Sequence, residues 1–140
     1  MADLRPLRTF SIEKIRNLLI HSINDLNDAR VTSISLARRF DAAYDAGFCC
    51  ALALLEASKL ECTGPGHHRD ALEFLVKVLG VKGKIREIAT SIWRMRNANR
   101  YDAVRTISPE MVEQAIEWAA YVQIETEAWF RKNLPQALKT

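Results

Sequence analysis

The sequence predicts an all-α protein, an up-and-down bundle of about five helices that forms a single domain over residues 1–140. Three observations lead to this fold class. Apolar residues recur three and four positions apart through most of the chain. No segment alternates apolar and polar residues for long enough to indicate a strand. All four prolines fall outside the proposed helix interiors.

Composition and cysteine content favour a cytoplasmic location. Apolar residues make up 49% and charged residues 26% of the chain, as in soluble globular domains. The longest apolar stretch, 47–55, is too short to cross a bilayer, and the N-terminus carries Asp3, Arg5 and Arg8 where a secretory signal needs an apolar run. Three cysteines, two of them adjacent, make no recognisable disulfide framework. We therefore expect a cytosolic protein without a membrane segment.

The first predicted helix has a single apolar face behind a capping residue. Ser11 can cap its start because a serine oxygen accepts a hydrogen bond from the first turn. The apolar face comprises Ile12, Ile15, Leu19, Ile23 and Leu26.

The second predicted helix is expected to be central, because apolar residues lie on two of its sides. One stripe comprises Leu36, Phe40, Tyr44, Gly47, Ala51 and Leu54, and a second of smaller residues comprises Ala42, Ala46, Cys50 and Ala53. Gly47 weakens a helix by about 1 kcal/mol relative to alanine. We expect a neighbouring backbone to approach closely there.

Residues 63–66 break the pattern, and two more helices follow. The third is short, with Leu72, Leu75, Val76 and Leu79 on its apolar face, and Gly80 can terminate it. The fourth has Ile85, Ile88, Ile92, Met95 and Asn99 on one side. It is expected to fray before Tyr101, where the apolar repeat ends.

The fifth helix has the clearest start signal in the chain. Ser108 can cap it, Pro109 suits the first helical position, and Glu110 lies near the positive end of the helix dipole. Its inward residues are predicted to be Met111, Ala115, Trp118, Val122 and Trp129, and its far limit is Pro135. Trp118 and Trp129 either fill the core of the bundle or leave apolar surface for a second subunit.

A metal site is not expected from the sequence. A zinc site would have to combine Cys62 with His67 and His68, but neighbouring helical residues point about 100° apart. No second Cys or His pair supplies the remaining ligands of a closed zinc site. We expect neither a metal nor a cofactor.

Positive charge is concentrated at the fourth helix. Residues 82–105 hold seven basic and two acidic side chains, a local net charge of +5, whereas the whole chain has +3. Residues 106–140 hold three basic and five acidic side chains, a net charge of −2. A basic edge beside an acidic helix suits a phosphate-bearing ligand on one side and a protein partner on the other. Surface charge runs are also common on ordinary solvated helices.

The C-terminal end of the fourth helix favours the ligand-binding interpretation. Arg96 follows Ile92 by four residues and Trp93 by three, so its stem is predicted to run along the edge of the apolar face. A guanidinium at that rim can bind a phosphate bidentately. Asn97, Asn99 and Tyr101 add neutral donors and acceptors within about one helical turn. This polar cluster predicts a site.

The polar cluster resembles the motif of the HEPN domains, small helical bundles marked by Arg-Asn followed, after three residues, by His. Here the motif reads Arg96-Asn97-Ala98-Asn99-Arg100-Tyr101. The residues from Arg38 to Ala46 are similar to the long helix of bacterial HEPN chains, and Gly66-His67-His68-Arg69 is similar to the start of the next helix. The resemblance covers about half of the chain, roughly 33–102.

The resemblance implies a homodimer in which two Arg-Asn motifs face a shared cleft and, in many members, metal-independent cleavage of RNA. The residues it makes catalytic candidates are Arg96, Asn97 and Tyr101. The residues it makes candidates for substrate binding are Arg94, Asn99, Arg100, Asp102, His67, His68, Arg38 and Asp41. Tyr101 stands where the motif has histidine, and a phenol is a poor proton carrier at neutral pH. His67 or His68 can approach the cleft instead, or can be a surface or capping group.

Arg38, Asp41 and Asp45 form a charged stripe on the second helix with two open interpretations. They can form salt bridges within the helix, since they lie three to four residues apart. Asp41 or Asp45 can instead orient Arg96 from across the bundle through a buried ion pair.

Two functions are compatible with these patterns. The first is an RNA- or nucleotide-binding protein of HEPN type, the ribonuclease toxin of a bacterial toxin-antitoxin pair whose antitoxin is a small nucleotidyltransferase. The second is a non-catalytic HEPN module that binds a nucleotide or a nucleotidyltransferase partner. Tyr101 favours the second, because the motif histidine is missing.

Overall fold

Five α-helices and a two-stranded sheet make up the computed structural model, which describes residues 4–63, 67–80, 84–99 and 106–139, without side chains at 84–86 and 98–99. The helices are α1 (Ile12–Ala29), α2 (Leu36–Ala57), α3 (His67–Leu79), α4 (Lys84–Asn99) and α5 (Pro109–Asn133), with a 3₁₀ turn at Pro135–Leu138. The strands are β1 (Leu4–Pro6) and β2 (Leu60–Cys62). The predicted all-α bundle is confirmed.

Helix α2 is the central element of the bundle. It packs against α1, α3 and α5, and its Phe40, Tyr44, Ala51 and Leu54 are fully buried. Ala46, Cys50 and Ala53 of the second stripe are also buried, whereas Ala42 is half-buried. The prediction that α2 is buried on two sides is therefore confirmed.

Gly47 of α2 lies against an aromatic ring of α5. A Cβ built on Gly47 would lie 2.2 Å from Cη2 and Cζ3 of Trp118. The predicted close approach at Gly47 is confirmed. The neighbour is an indole side chain, so the prediction that a backbone approaches there is wrong. Trp118, only 2% exposed, fills the core of the bundle itself, so it offers no surface to a second subunit.

Helix α1 starts as predicted, and its predicted apolar face lies toward the core except at Ile23. The backbone N–H of Lys14 donates to Oγ of Ser11 at 3.1 Å, which confirms the cap. Ile15 and Leu26 are buried, but Ile23 is 54% exposed. Ser22 is buried in its place because its hydroxyl donates to the carbonyl of Ala46 on α2 at 2.6 Å.

Helices α3 and α5 also begin or end at the predicted signals. Gly80 follows α3 with φ of +67°, the left-handed conformation that glycine adopts most readily. The backbone N–H of Met111 donates to Oγ of Ser108 at 3.2 Å, and Pro109 is the first residue of α5. On the predicted inner face of α5, Ala115, Trp118 and Val122 are buried, whereas Met111 and Trp129 are half-buried.

The two-stranded sheet was not predicted. Leu4–Pro6 pairs antiparallel with Leu60–Cys62, and the N–H of Leu7 donates to the carbonyl of Lys59 at 2.8 Å. Arg5 and Glu61 form an ion pair across this sheet. Strands of three residues are too short to show the alternation of apolar and polar residues on which the expectation of no strands rested.

In the described part of the chain, no helix is both long enough and apolar enough to cross a membrane.

Candidate functional site

Tyr44 is the centre of the candidate site. It lies in the middle of α2, its side chain is fully buried, and its Oη lies 3.0 Å from Nδ1 of His68 in the first turn of α3. A buried tyrosine hydroxyl needs a hydrogen-bond partner, and His68 provides one. This hydrogen bond joins α2 to the start of α3.

Arg96 of α4 lies over the same ring. The Cζ atom of its guanidinium is 4.7 Å from the centroid of Tyr44, within the range of a cation–π contact. Arg96 is half-buried, as its spacing from Ile92 and Trp93 predicts. A contact with a ring face uses none of the N–H donors of the guanidinium, so the same side chain can bind an anion.

Phe48, His67 and His68 extend this arrangement toward solvent. The rings of Phe48 and His68 stack with centroids 4.1 Å apart and planes 7° apart. His67 lies 4.4 Å from His68 at an interplanar angle of 56°, and it presents an edge contact to Phe48 at 6.4 Å. We call the set Tyr44, Phe48, His67, His68, Arg96 and Trp118 the Tyr44 cluster.

Exposure increases across the Tyr44 cluster from the core to the surface. Trp118 and Tyr44 are buried and stack with centroids 6.4 Å apart. Phe48 and His68 are half-buried, and His67 is exposed. The absence of a side chain at Gly47 leaves room for the Trp118 indole behind the cluster. The rings are therefore supported by the core on one side and reach solvent on the other.

The structure brings together some of the predicted site residues. His67, His68 and Arg96 all belong to the Tyr44 cluster. Arg94 and Asn97 are exposed on α4, Arg38 is exposed on α2, and Asp41 is half-buried there. The other predicted residues lie outside the described residues or side chains: Asn99, Arg100, Tyr101 and Asp102.

The charged stripe of Arg38, Asp41 and Asp45 had two open interpretations. Neither is supported by the ion pairs within the described residues, 4–63, 67–80, 84–99 and 106–139. Those pairs include neither Arg38 with Asp41 nor Arg96 with Asp41 or Asp45. Arg96 is positioned by the ring of Tyr44. Among the described side chains Arg96 therefore contacts an aromatic ring, and the alternative of a buried pair with Asp41 or Asp45 is not observed.

Sequence analysis placed Tyr44 on a core stripe and did not assign Phe48 a role. Tyr44 and Phe48 lie four residues apart and so share a helix face, with ring centroids 6.0 Å apart. The signal that could have found the site is the tyrosine itself, because a buried phenol predicts a polar partner from another element.

A second polar cluster joins α1 to α2 near Cys49. The Sγ atom of Cys49 lies 4.0 Å from Oδ2 of Asp25, and Oδ1 of Asp25 is 3.8 Å from Nε2 of His21. Burial, with a smaller contribution from the charge of Asp25, raises the pKa of the Cys49 thiol to about 12. Cys49 is therefore a protonated thiol at neutral pH and a weak nucleophile.

Over the residues that the structure describes, no group of three or more His, Cys, Asp or Glu side chains could hold a metal ion. The Tyr44 cluster offers two kinds of chemically useful side chain, an arginine and two histidines. A guanidinium stabilises negative charge on phosphate oxygens, and an imidazole can carry a proton near neutral pH. The two groups contact the same tyrosine, and together they suit a phosphate-containing ligand.

Comparison of the chain with protein-family models, with curated proteins and with solved structures gives no match in any of the three.

Proposed function

We propose that the protein is an RNA-binding protein of HEPN type whose ligand site is the Tyr44 cluster. The observation that carries the proposal is the convergence of Arg96 and His68 on Tyr44, at 4.7 Å and 3.0 Å. Both residues lie in segments that carry the resemblance, Arg96 in the Arg-Asn motif and His68 in the Gly-His-His-Arg segment. A phosphate group is the ligand chemistry that an arginine beside an imidazole suits best.

The charge of the sequence around Arg96 supports a polyanionic ligand. Residues 82–105 have a net charge of +5, and Arg94 is exposed two residues before Arg96 on α4. Lysine and arginine near a phosphate backbone attract nucleic acid independently of its sequence. Arg96 binds one phosphate directly in this proposal, and Arg94 contributes only to the long-range field.

RNA cleavage at this site requires no metal. The ribose 2′-oxygen attacks the adjacent phosphorus, the bond from phosphorus to the 5′-oxygen breaks, and the products carry a 2′,3′-cyclic phosphate and a 5′-hydroxyl. Arg96 stabilises the negative charge that develops on the phosphate oxygens. Neutral His68 accepts the proton of the 2′-hydroxyl, and water supplies the proton that the leaving 5′-oxygen takes up. In this mechanism His68 carries the proton. The HEPN motif assigns that role to a histidine, which Tyr101 replaces in this chain.

The partners in this proposal follow from the resemblance. Two copies of the chain form a homodimer, and a small nucleotidyltransferase acts as the antitoxin that neutralises the ribonuclease. The exposed carboxylates of Glu110, Glu113 and Glu117 on α5 give a protein partner an acidic surface.

The direct test measures binding and cleavage of labelled RNA in EDTA by the wild type, Arg96→Ala and Arg94→Ala. Arg94 is the matched control because it is exposed on the same helix and carries the same charge. Loss of a charge-assisted phosphate contact is expected to weaken RNA binding at least tenfold in Arg96→Ala. Arg94→Ala should weaken it less than threefold. Equal effects of the two substitutions would mean that only net charge matters.

The second candidate function is a non-catalytic module that binds RNA or a nucleotide without cleaving it. Tyr101 in place of the motif histidine favours it. Tyr101→His discriminates between the two functions. If RNA cleavage appears only in this variant, the wild-type site lacks a proton carrier and the substitution has restored it. Cleavage by the wild type that Tyr101→Phe abolishes would exclude the non-catalytic module.

A further inference from the structure

The exposed end of the Tyr44 cluster has the properties of a stacking surface for a planar ligand. His67 is exposed, while the two rings beside it, His68 and Phe48, are half-buried. The three centroids lie 4.1 Å, 4.4 Å and 6.4 Å apart, so the rings form one continuous group. The ring of His67 is tilted by 56° from that of His68, so it presents a face of its own at the solvent end of an aromatic group that continues into the core.

The rings beneath His67 are held in place by contacts on several sides. His68 stacks on Phe48 with planes only 7° apart, and its Nδ1 lies 3.0 Å from the Tyr44 hydroxyl. Tyr44 in turn stacks against the buried Trp118. Rings that are held before the ligand arrives give His67 a fixed support and lower the conformational entropy lost on binding. The arrangement is therefore suited to binding as well as to packing.

The neighbouring Arg96 narrows the chemistry of the planar ligand. Its guanidinium lies over the other end of the same cluster, on the ring of Tyr44. A nucleotide fits this pair of groups, since it can present its base to His67 and its phosphate to Arg96. A purely aromatic ligand would not use the arginine, and a cation would be repelled by it.

We propose that His67 is a base-stacking residue and that the RNA bound at this site is single-stranded, with an unpaired base on the ring of His67 and a phosphate on Arg96. The inference rests on the proposed function and names its substrate class. Bases inside a duplex are already stacked on their neighbours and cannot reach His67. Unpaired bases stack on aromatic side chains with little dependence on sequence.

The test measures fluorescence anisotropy of a labelled single-stranded RNA of mixed sequence and of the same strand in a duplex. Both are titrated with the wild type, His67→Ala, His67→Phe and His21→Ala. His67→Phe retains an aromatic ring but has no ring nitrogen and no positive charge. His21→Ala removes an exposed histidine of α1, outside the Tyr44 cluster, and is the matched control.

His67→Ala is expected to weaken binding of the single strand about tenfold, which is the size of one base–aromatic stack. His67→Phe should bind within about threefold of the wild type, and His21→Ala should be unchanged. The duplex should bind at least about tenfold more weakly than the single strand and should not respond to His67→Ala.

Three results would overturn the inference: no effect of His67→Ala on the single strand, equal losses in His67→Ala and His67→Phe, or equal affinities for single strand and duplex. Sensitivity to Arg96→Ala without sensitivity to His67→Ala would reject base stacking and leave the phosphate site intact. No binding of either RNA by the wild type would reject the proposed function and the inference together.

Discussion

At the scale of single residues, the central feature is that Tyr44 contacts two candidate functional groups through two different parts of its side chain. Its hydroxyl lies 3.0 Å from Nδ1 of His68, and its ring lies under the guanidinium of Arg96. The two interactions have different chemical requirements, because a hydrogen bond needs the oxygen and a cation–π contact needs only the ring. Substitution can therefore separate them, and Tyr44 is a positioning residue in this account.

Tyr44→Phe is expected to lower the free energy of unfolding by about 0.5–1.5 kcal/mol, the net value of one hydrogen bond. RNA affinity should stay within about threefold of the wild type, since phenylalanine keeps the ring beneath Arg96. Tyr44→Leu removes the ring as well and should lose RNA affinity at least about tenfold. Urea unfolding and anisotropy measure the two quantities. Equal RNA affinities in the two variants would contradict a role of the ring in positioning Arg96.

Asp25 gives a second residue-scale prediction, this one on pH dependence. Burial raises the pKa of its carboxyl, and the nearby His21 charge lowers it by less. An acid whose pKa is higher in the folded than in the unfolded state favours folding when protonated, so this stabilisation is lost as pH rises through the folded pKa. Asp25→Asn cannot ionise and should be more stable than the wild type at pH 7.

The stability advantage of Asp25→Asn should shrink as pH falls below the ordinary carboxyl range, because Asp25 of the wild type is then protonated in both states. Thermal unfolding of both proteins at pH 3 and pH 7 measures this difference. If Asp25→Asn were more stable than the wild type by the same amount at both pH values, the asparagine amide would act through new contacts. Ionisation of Asp25 would then be irrelevant to the difference in stability.

At the scale of secondary-structure elements, the packing of α2 against α5 depends on the contact between Gly47 and Trp118. A methyl group at Gly47 would lie 2.2 Å from two ring atoms of a tryptophan that is 2% exposed. Gly47→Ala is therefore expected to destabilise the fold by about 1–3 kcal/mol through overpacking, although alanine favours a helix. Urea unfolding measures the loss.

A double-mutant cycle separates this steric cause from helix propensity. In the background of Trp118→Leu, the indole is gone and Gly47→Ala should cost less, or should stabilise the helix by up to about 1 kcal/mol. An identical cost of Gly47→Ala in both backgrounds would contradict the steric explanation.

The elements that sequence predicted best are those with local signals. Ser11 and Ser108 cap α1 and α5 as expected, since a capping bond joins residues three apart in the chain. The face of α1 was predicted less well. Ile23 lies on the apolar repeat but is exposed, whereas the neighbouring Ser22 is buried and its hydroxyl donates to the carbonyl of Ala46. Such a bond to another helix leaves no periodic trace in the sequence.

At the scale of the whole molecule, the candidate site is built from four helices, α2, α3, α4 and α5. The Arg-Asn motif and the pair of histidines could be identified from sequence, but their meeting at Tyr44 depends on how α3 and α4 pack on α2. The pattern of apolar residues assigns Tyr44 to the core, which is correct, but does not show which polar groups reach it. Homodimer formation remains a prediction of the HEPN resemblance, and light scattering measures it directly.

The central claim is that Arg96 and His68 act as one site. A double-mutant cycle tests this claim most directly. The affinity for single-stranded RNA is measured for the wild type, Arg96→Ala, His68→Ala and the double variant, after each variant has been checked for native stability. Residues that share one site and one ligand are expected to show a coupling of about 0.5–3 kcal/mol, so the double variant should lose much less affinity than the two single losses combined. Losses that add to within about 0.3 kcal/mol would show that Arg96 and His68 bind independently, which contradicts the account.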